Sequence, residues 1–274
     1  MKTDHTAQRG FTLLELLTSM GLLVIIVLMM SRMFTDTNRM WTLGTKRVVE
    51  AQEARVIMGF LIEEISSAIA DETISMKMHS EAGGESWSVE AYGQQTDSIA
   101  FVGFSRTPPA GAMRRATDEI IYYVDYMRDA QNEEMDASHD EGPRYRLMRK
   151  RATERSHNPV GNPAPLTTSA YKNPEWWRRQ YTGNHNAEPV AYNVVGFEIW
   201  AYDRNGVEQF NYDSTDHGTP LYIDIYLELM GDAEIAQLAL MWSMNHPDRV
   251  EYLEQNVRRY SARIYLKNRE GYAL

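Results

Sequence analysis

The feature that most constrains this chain is an apolar run close to its amino terminus. Residues 16–31, Leu-Leu-Thr-Ser-Met-Gly-Leu-Leu-Val-Ile-Ile-Val-Leu-Met-Met-Ser, carry no charge. Counted from Phe11, the run reaches the roughly 20 residues that a helix needs to cross a bilayer. No soluble core calls for an unbroken run of this kind at a chain end, so residues 11–31 read as a membrane-spanning helix. One group does not suit hydrocarbon: Glu15 sits near the start of the run, and a carboxylate placed there costs on the order of 3 kcal/mol unless something uses it. After the run, residues 28–34 offer no small-residue cleavage site of the secretory type, so the helix is expected to stay in the mature chain. Basic residues do not orient it, because Lys2 and Arg9 precede the span while Arg32, Arg39, Lys46 and Arg47 follow it.

The order Arg9, Gly10, Phe11, then Glu15 four residues later, then the apolar helix, resembles the signal of type IV pilins and type II secretion pseudopilins. That resemblance implies that a membrane-embedded prepilin peptidase cuts between Gly10 and Phe11 on the cytoplasmic side and methylates the new amino group of Phe11. Residues 1–10 are then a leader, and the rest of the chain lies across the inner membrane and in the periplasm. It also implies a use for Glu15. In an assembling filament its carboxylate meets the cationic amine of a neighbouring subunit, and opposite charges attract strongly where the dielectric is low. The simpler alternative is an ordinary signal anchor, with Glu15 among the headgroups and bonded to nothing.

Beyond the span, residues 32–70 continue as a stalk helix. Val48, Ala51, Met58, Ile62, Ile65 and Ile69 follow three-four spacing, with Arg55 in the one slot that breaks it. Glu50, Glu53, Glu63 and Glu64 fall mostly off that stripe. A break is expected near residues 36–38 or at Gly44, where the residues propagate helix poorly. The first half of the stripe should pack on other subunits and the second half under the chain's own sheet.

From Asp71 the pattern changes to short alternating runs rich in branched and aromatic residues: 87–92, 98–104, 119–126, 145–149, 190–203, 221–229 and 260–266. Gly83-Gly84 and the Pro-Pro-Ala-Gly turn at 108–111 punctuate them, and Asp203-Arg204-Asn205-Gly206 is a hairpin signal. These runs form an antiparallel meander. Residues 232–243 and 247–256 read as helices, with Asp232 as a cap for the first and Pro247 in the first turn of the second. Residues from about 153 to 189 form an insertion, polar and without strand periodicity, whose apolar handle is Trp176-Trp177. The expected fold class is α+β: a long membrane helix continuing as a stalk packed on an antiparallel head, residues 71–274. This order of elements is similar to the J-type minor pseudopilins of type II secretion. The helical segment 232–256 before the last strand departs from that type and is similar to a pseudopilin-like family named for the Verru_Chthon cassette.

Chemistry is sparse. The seven histidines, His5, His79, His139, His157, His185, His217 and His246, include no two within four residues, and there is no cysteine. Neither a zinc motif nor a nucleophile elbow, P-loop or dinucleotide loop can be assembled. No catalytic residue, metal or cofactor is therefore expected. The acidic residues Glu133, Glu134, Asp136, Asp140 and Glu141 could offer oxygen ligands to calcium, but they lack an EF-hand pattern, and a solvated loop is the simpler reading. The net charge of -10 opposes phosphate backbones and argues against nucleic acid as a partner. What the resemblance implies is a non-enzymatic minor pseudopilin. Its partners are the prepilin peptidase, other pseudopilins or minor pilins, the inner-membrane assembly platform and membrane lipid. The alternative from another class is a signal-anchored periplasmic enzyme or binding protein whose anchor is only a tether.

Overall fold

The computed structural model describes residues 12–70, 74–79, 90–92, 94–104, 117–126, 144–153, 187–209 and 211–267. Gly10, Phe11, the acidic residues 129–141, the turn at 108–111 and the insertion up to residue 186 lie outside the described residues. The chain divides into two compact units, residues 1–53 and 54–274.

Helix α1 runs Leu13–Ser66 without interruption. The expected break is absent: Asp36, Asn38 and Gly44 are all helical. Each costs the helix at most about 1 kcal/mol, too little to stop a helix this long. Nearby threonines adapt to it, since Thr35, Thr37, Thr42 and Thr45 each donate their hydroxyl to the carbonyl four residues earlier. The helix ends four residues sooner than expected. Ser66 and Ser67 turn their hydroxyls onto the carbonyls of Glu63 and Glu64, and strand β1, Ala68–Ile69, leaves to pair with a neighbour. Competition by short hydroxyl side chains for backbone groups is what ends the helix there.

The buried face of this helix is also turned relative to expectation. Ala54, Met58, Leu61 and Ile65 are enclosed, whereas Val48 is exposed and Ile62 only half-buried. Glu64, expected off the apolar stripe, is buried as well.

The head contains two principal antiparallel sheets where the sequence suggested one meander. The first holds β1, β2 (Lys77–His79), β5 (Ser98–Phe104), β6 (Thr117–Tyr126), β7 (Tyr145–Thr153) and β8 (Ala187–Tyr192). Its order is β1-β5-β6-β7-β8, with β2 sharing β5 with β1. The second holds β9 (Val194–Tyr202), β10 (Glu208–Gln209), β11 (Tyr222–Leu229) and β12 (Arg258–Ile264), in the order β10-β9-β11-β12. A short pair, β3 (Glu90–Ala91) with β4 (Gln94–Gln95), stands apart. Strand β8 takes in Pro189, the expected last residue of the insertion; it lies on a sheet edge, where a missing N–H is tolerated.

One residue separates the sheets. Residues 190–203 were expected to be a single strand, but Asn193 adopts φ 56° and divides it into β8 and β9. Asparagine is among the few residues that enter the left-handed region readily. Its amide donates to Asp232 Oδ1 at 2.6 Å, which fixes the corner to the first residue of helix α3, Asp232–Ser243. Asp232 is thus inside α3 and not its cap, a position held by Gly231. Helix α4, Arg249–Asn256, starts after Pro247, with Asp248 at its N-cap. A four-residue helix α2, Ser214–His217, is capped by Asp213, which accepts from the Thr215 amide.

One large core joins these layers, and a smaller cluster of Ala100, Val102, Ile121, Tyr123 and Met148 lies on the other face of the first sheet. In the large core Met58, Leu61 and Ile65 pack with Ile99, Phe101, Ile120, Tyr122 and Leu147 of the first sheet, and with Phe197, Ile199, Ile223, Ile225 and Leu227 of the second. Ile235, Leu238 and Leu253 of α3 and α4 close it.

Candidate functional site

The amino-terminal signal is where the sequence concentrates its constraints. Thr12 precedes the first helical residue, and Glu15 is the third residue of the helix. The two side chains satisfy each other's backbone. The Thr12 amide and hydroxyl both donate to Glu15 Oε2 at 3.0 Å, and the Glu15 amide donates to Thr12 Oγ1 at 3.3 Å. This is a capping box, which removes donors that would otherwise be orphaned at the helix start. In hydrocarbon such donors have no water to turn to, so the arrangement matters more there than at an aqueous helix end.

Glu15 therefore has a job within its own chain that charge reasoning did not supply. The signal for it, Thr-x-x-Glu ahead of an apolar run, was present in the sequence. Only Oε2 is engaged by Thr12, which leaves Oε1 without a partner among the described residues. All residues of the span from Leu13 to Met30 are exposed, as a helix that must meet lipid or other helices requires. Of the described helices, α1 is the one long and apolar enough to cross a membrane.

A second polar cluster lies in the head and went unnoticed in the sequence. Glu64 reaches from α1 onto the row where Tyr122, Arg149 and Glu188 sit side by side on β6, β7 and β8. Arg149 donates through Nε to Glu64 Oε2 at 2.9 Å and through its terminal nitrogens to Glu64 Oε1 and Glu188 Oε1. The Tyr122 hydroxyl donates to Glu64 Oε2. Burial raises the Tyr122 pKa, and the Glu64 charge beside it raises it further. The Phe60 ring lies 5.1 Å from the Arg149 guanidinium. Glu64 and Arg149 are closed in and satisfy each other while Glu188 sits at the exposed rim, so the cluster fastens helix to sheet.

Elsewhere chemistry stays scattered. Among the described residues no group of three or more His, Cys, Asp or Glu is placed to hold a metal. His217 stacks on Tyr212, and His246 lies 3.9 Å from Asp248 on the surface. Asp213 is occupied by Ser75, Thr215 and the cap of α2.

Comparison with known proteins agrees on the amino terminus. Residues 5–31 match the prokaryotic N-terminal methylation motif. No curated protein matches the chain. That motif is the signal for processing by prepilin peptidase and for pilin-type assembly, and it places Glu15 inside the matched segment. The chain thus carries the precursor signal of type IV pilins and pseudopilins on an apolar helix, ahead of an antiparallel α+β head of pilin-like architecture.

Proposed function

We propose that the protein is a non-enzymatic minor pseudopilin. It is held in the inner membrane by residues 11–31 with its head in the periplasm, and is then built into a short filament or its tip by a type II secretion or type IV pilus-like machine. The observation that carries this reading is the methylation motif on a helix whose one early carboxylate, Glu15, caps its own helix through Oε2 and leaves Oε1 without a partner among the described residues. The peptidase removes residues 1–10, and Phe11 becomes the methylated first residue. During assembly the free oxygen of Glu15 meets the amine of a neighbouring subunit. The cap holds the carboxylate in one rotamer and so orders it for that encounter.

The two roles of Glu15 can be separated. In Glu15→Gln the amide oxygen still caps Thr12, but the charge is gone. Glu15→Gln should be cleaved, inserted and folded normally yet fail to enter filaments, read by cross-linking to other subunits in membranes. Normal incorporation of that variant would leave capping as its whole role and end the charge-pairing reading. Mass spectrometry of the mature protein should find methylated Phe11 at the amino terminus. An intact leader would instead support a tethered periplasmic enzyme or binding protein.

A further inference from the structure

On the outward face of the second sheet one carboxylate is left over. Strand alternation puts Glu198 of β9, Asp224, Tyr226 and Glu228 of β11, and Arg259 and Arg263 of β12 on that face, away from the core residues Phe197, Ile199, Ile225 and Leu227. Asp224 lies opposite Arg263 and accepts two bonds from it at 2.8 Å; Glu228 lies opposite Arg259 and accepts from its Nε at 2.6 Å. Each arginine is thereby matched to one carboxylate. Glu198 has no hydrogen bond or ion pair among the described residues.

Strand register brings this spare carboxylate to Glu228. Glu198 stands opposite Tyr226, and the next outward position of β9 is Gly196, which stands opposite Glu228. Glycine projects no side chain there, and the Tyr226 ring packs on Trp200, 5.4 Å away. Glu198 and Glu228 are therefore diagonal neighbours on one face, a separation of about 7–8 Å that two long side chains can close. Glu228 is also incompletely satisfied. Its side chain is 3% exposed, both Arg259 nitrogens that reach it go to Oε1, and Oε2 is buried without a hydrogen-bond partner. A buried acceptor left in that state weakens the fold, and what it lacks is a donor.

We propose that Glu198 and Glu228 share one proton, with the protonated Glu198 carboxyl donating to Glu228 Oε2, and that the pair is a pH-sensitive latch between β9 and β11. Two carboxylates that meet in a partly buried site cannot both ionise cheaply, so one of them keeps its proton to higher pH. Glu198 is the one that keeps it, because Glu228 already has a guanidinium. Burial and then the Glu228 charge raise the Glu198 pKa, with Arg259 opposing. The other groups facing the pair are Tyr226 on β11, and Ser261 beside it on β12 carries no charge. The latch is closed while Glu198 is protonated. As pH rises through the raised value the proton leaves, Oε2 loses its donor, and two negative charges are left with the single guanidinium of Arg259. The inference concerns the head alone and does not depend on how the anchor is used.

The test is infrared difference spectroscopy across a pH series on the full chain in detergent micelles, joined to amide hydrogen exchange. The wild type should show the C=O band of a protonated carboxyl that disappears only above the ordinary glutamate range. Glu198→Gln, whose amide still donates to Oε2, should lose that band. Glu228→Gln removes the neighbouring charge and should shift its disappearance to lower pH. Amides of β9 and β11 should exchange faster in the wild type than in Glu198→Gln at neutral pH and equally fast in acid; comparing the two proteins at matched pH cancels the pH dependence of exchange itself. The proposal is overturned if the band is not found, if it survives Glu198→Gln, if Glu228→Gln leaves its titration in place, or if the two proteins exchange alike at neutral pH.

Discussion

Glu64 and Arg149 show how much a single pair can decide. Each is buried, and each is the other's hydrogen-bonded counter-charge. Arg149→Met should destabilise the head by about 3–5 kcal/mol, since it strands the Glu64 carboxylate in the core. The double change Glu64→Gln with Arg149→Met removes the stranded charge and keeps an oxygen for the Tyr122 hydroxyl. It should therefore be more stable than Arg149→Met alone, which urea midpoints measured in the same detergent will show. Glu198 offers a second check at this scale. Its pKa is raised, first by burial and then by the neighbouring Glu228 charge, with Arg259 opposing. Its folded form thus holds its proton more tightly than the unfolded chain does. Stability from this group is present at low pH and is lost as pH rises from the ordinary glutamate value towards the raised one. Glu198→Gln should flatten that decline and leave the protein more stable at neutral pH, read from melting temperature against pH.

Among elements, the strand at 98–104 was legible as a short apolar run bounded by turn residues, and it is buried on both faces, while the strand at 221–229 was legible from its alternation. Helix 232–243 was legible for its apolar spacing. The division of 190–203 was not. Alternation is unbroken in letters across Tyr192, Asn193 and Val194, and the left-handed turn at Asn193 is compatible with the residue but not required by it. What selects the turn is the pairing of its two sides with different sheets, β8 with β7 and β9 with β11. Asn193→Ala should cost about 1–2 kcal/mol, because alanine keeps the β-carbon but lacks the polar side chain that lets asparagine enter the left-handed region, and it loses the bond to Asp232. Asn193→Gly should lose mainly the bond, so chemical denaturation should rank the wild type first, glycine next and alanine last. The hairpin at 203–206 behaved as its residues required: Gly206 takes φ 76°, and Asp203 Oδ1 accepts from the amides of Asn205 and Val207.

For the whole molecule, the sequence by itself determined the apolar span, the helix through it, the Thr12–Glu15 cap and the succession of strands. Each of these is set by neighbours within about one helical turn or one strand, where local hydrogen bonding and spacing act without help from the fold. Tertiary structure decided the rest. Which line of α1 is buried depends on the sheet it meets, because a helix bearing Met58, Leu61, Ile62 and Ile65 can turn any of several overlapping stripes inward. Glu64 was indistinguishable from Glu63 until β7 placed Arg149 within 2.9 Å of it. The meeting of Glu198 with Glu228 and Arg259 likewise exists only after β9, β11 and β12 are laid side by side, since these residues come from segments of the chain that no local rule connects.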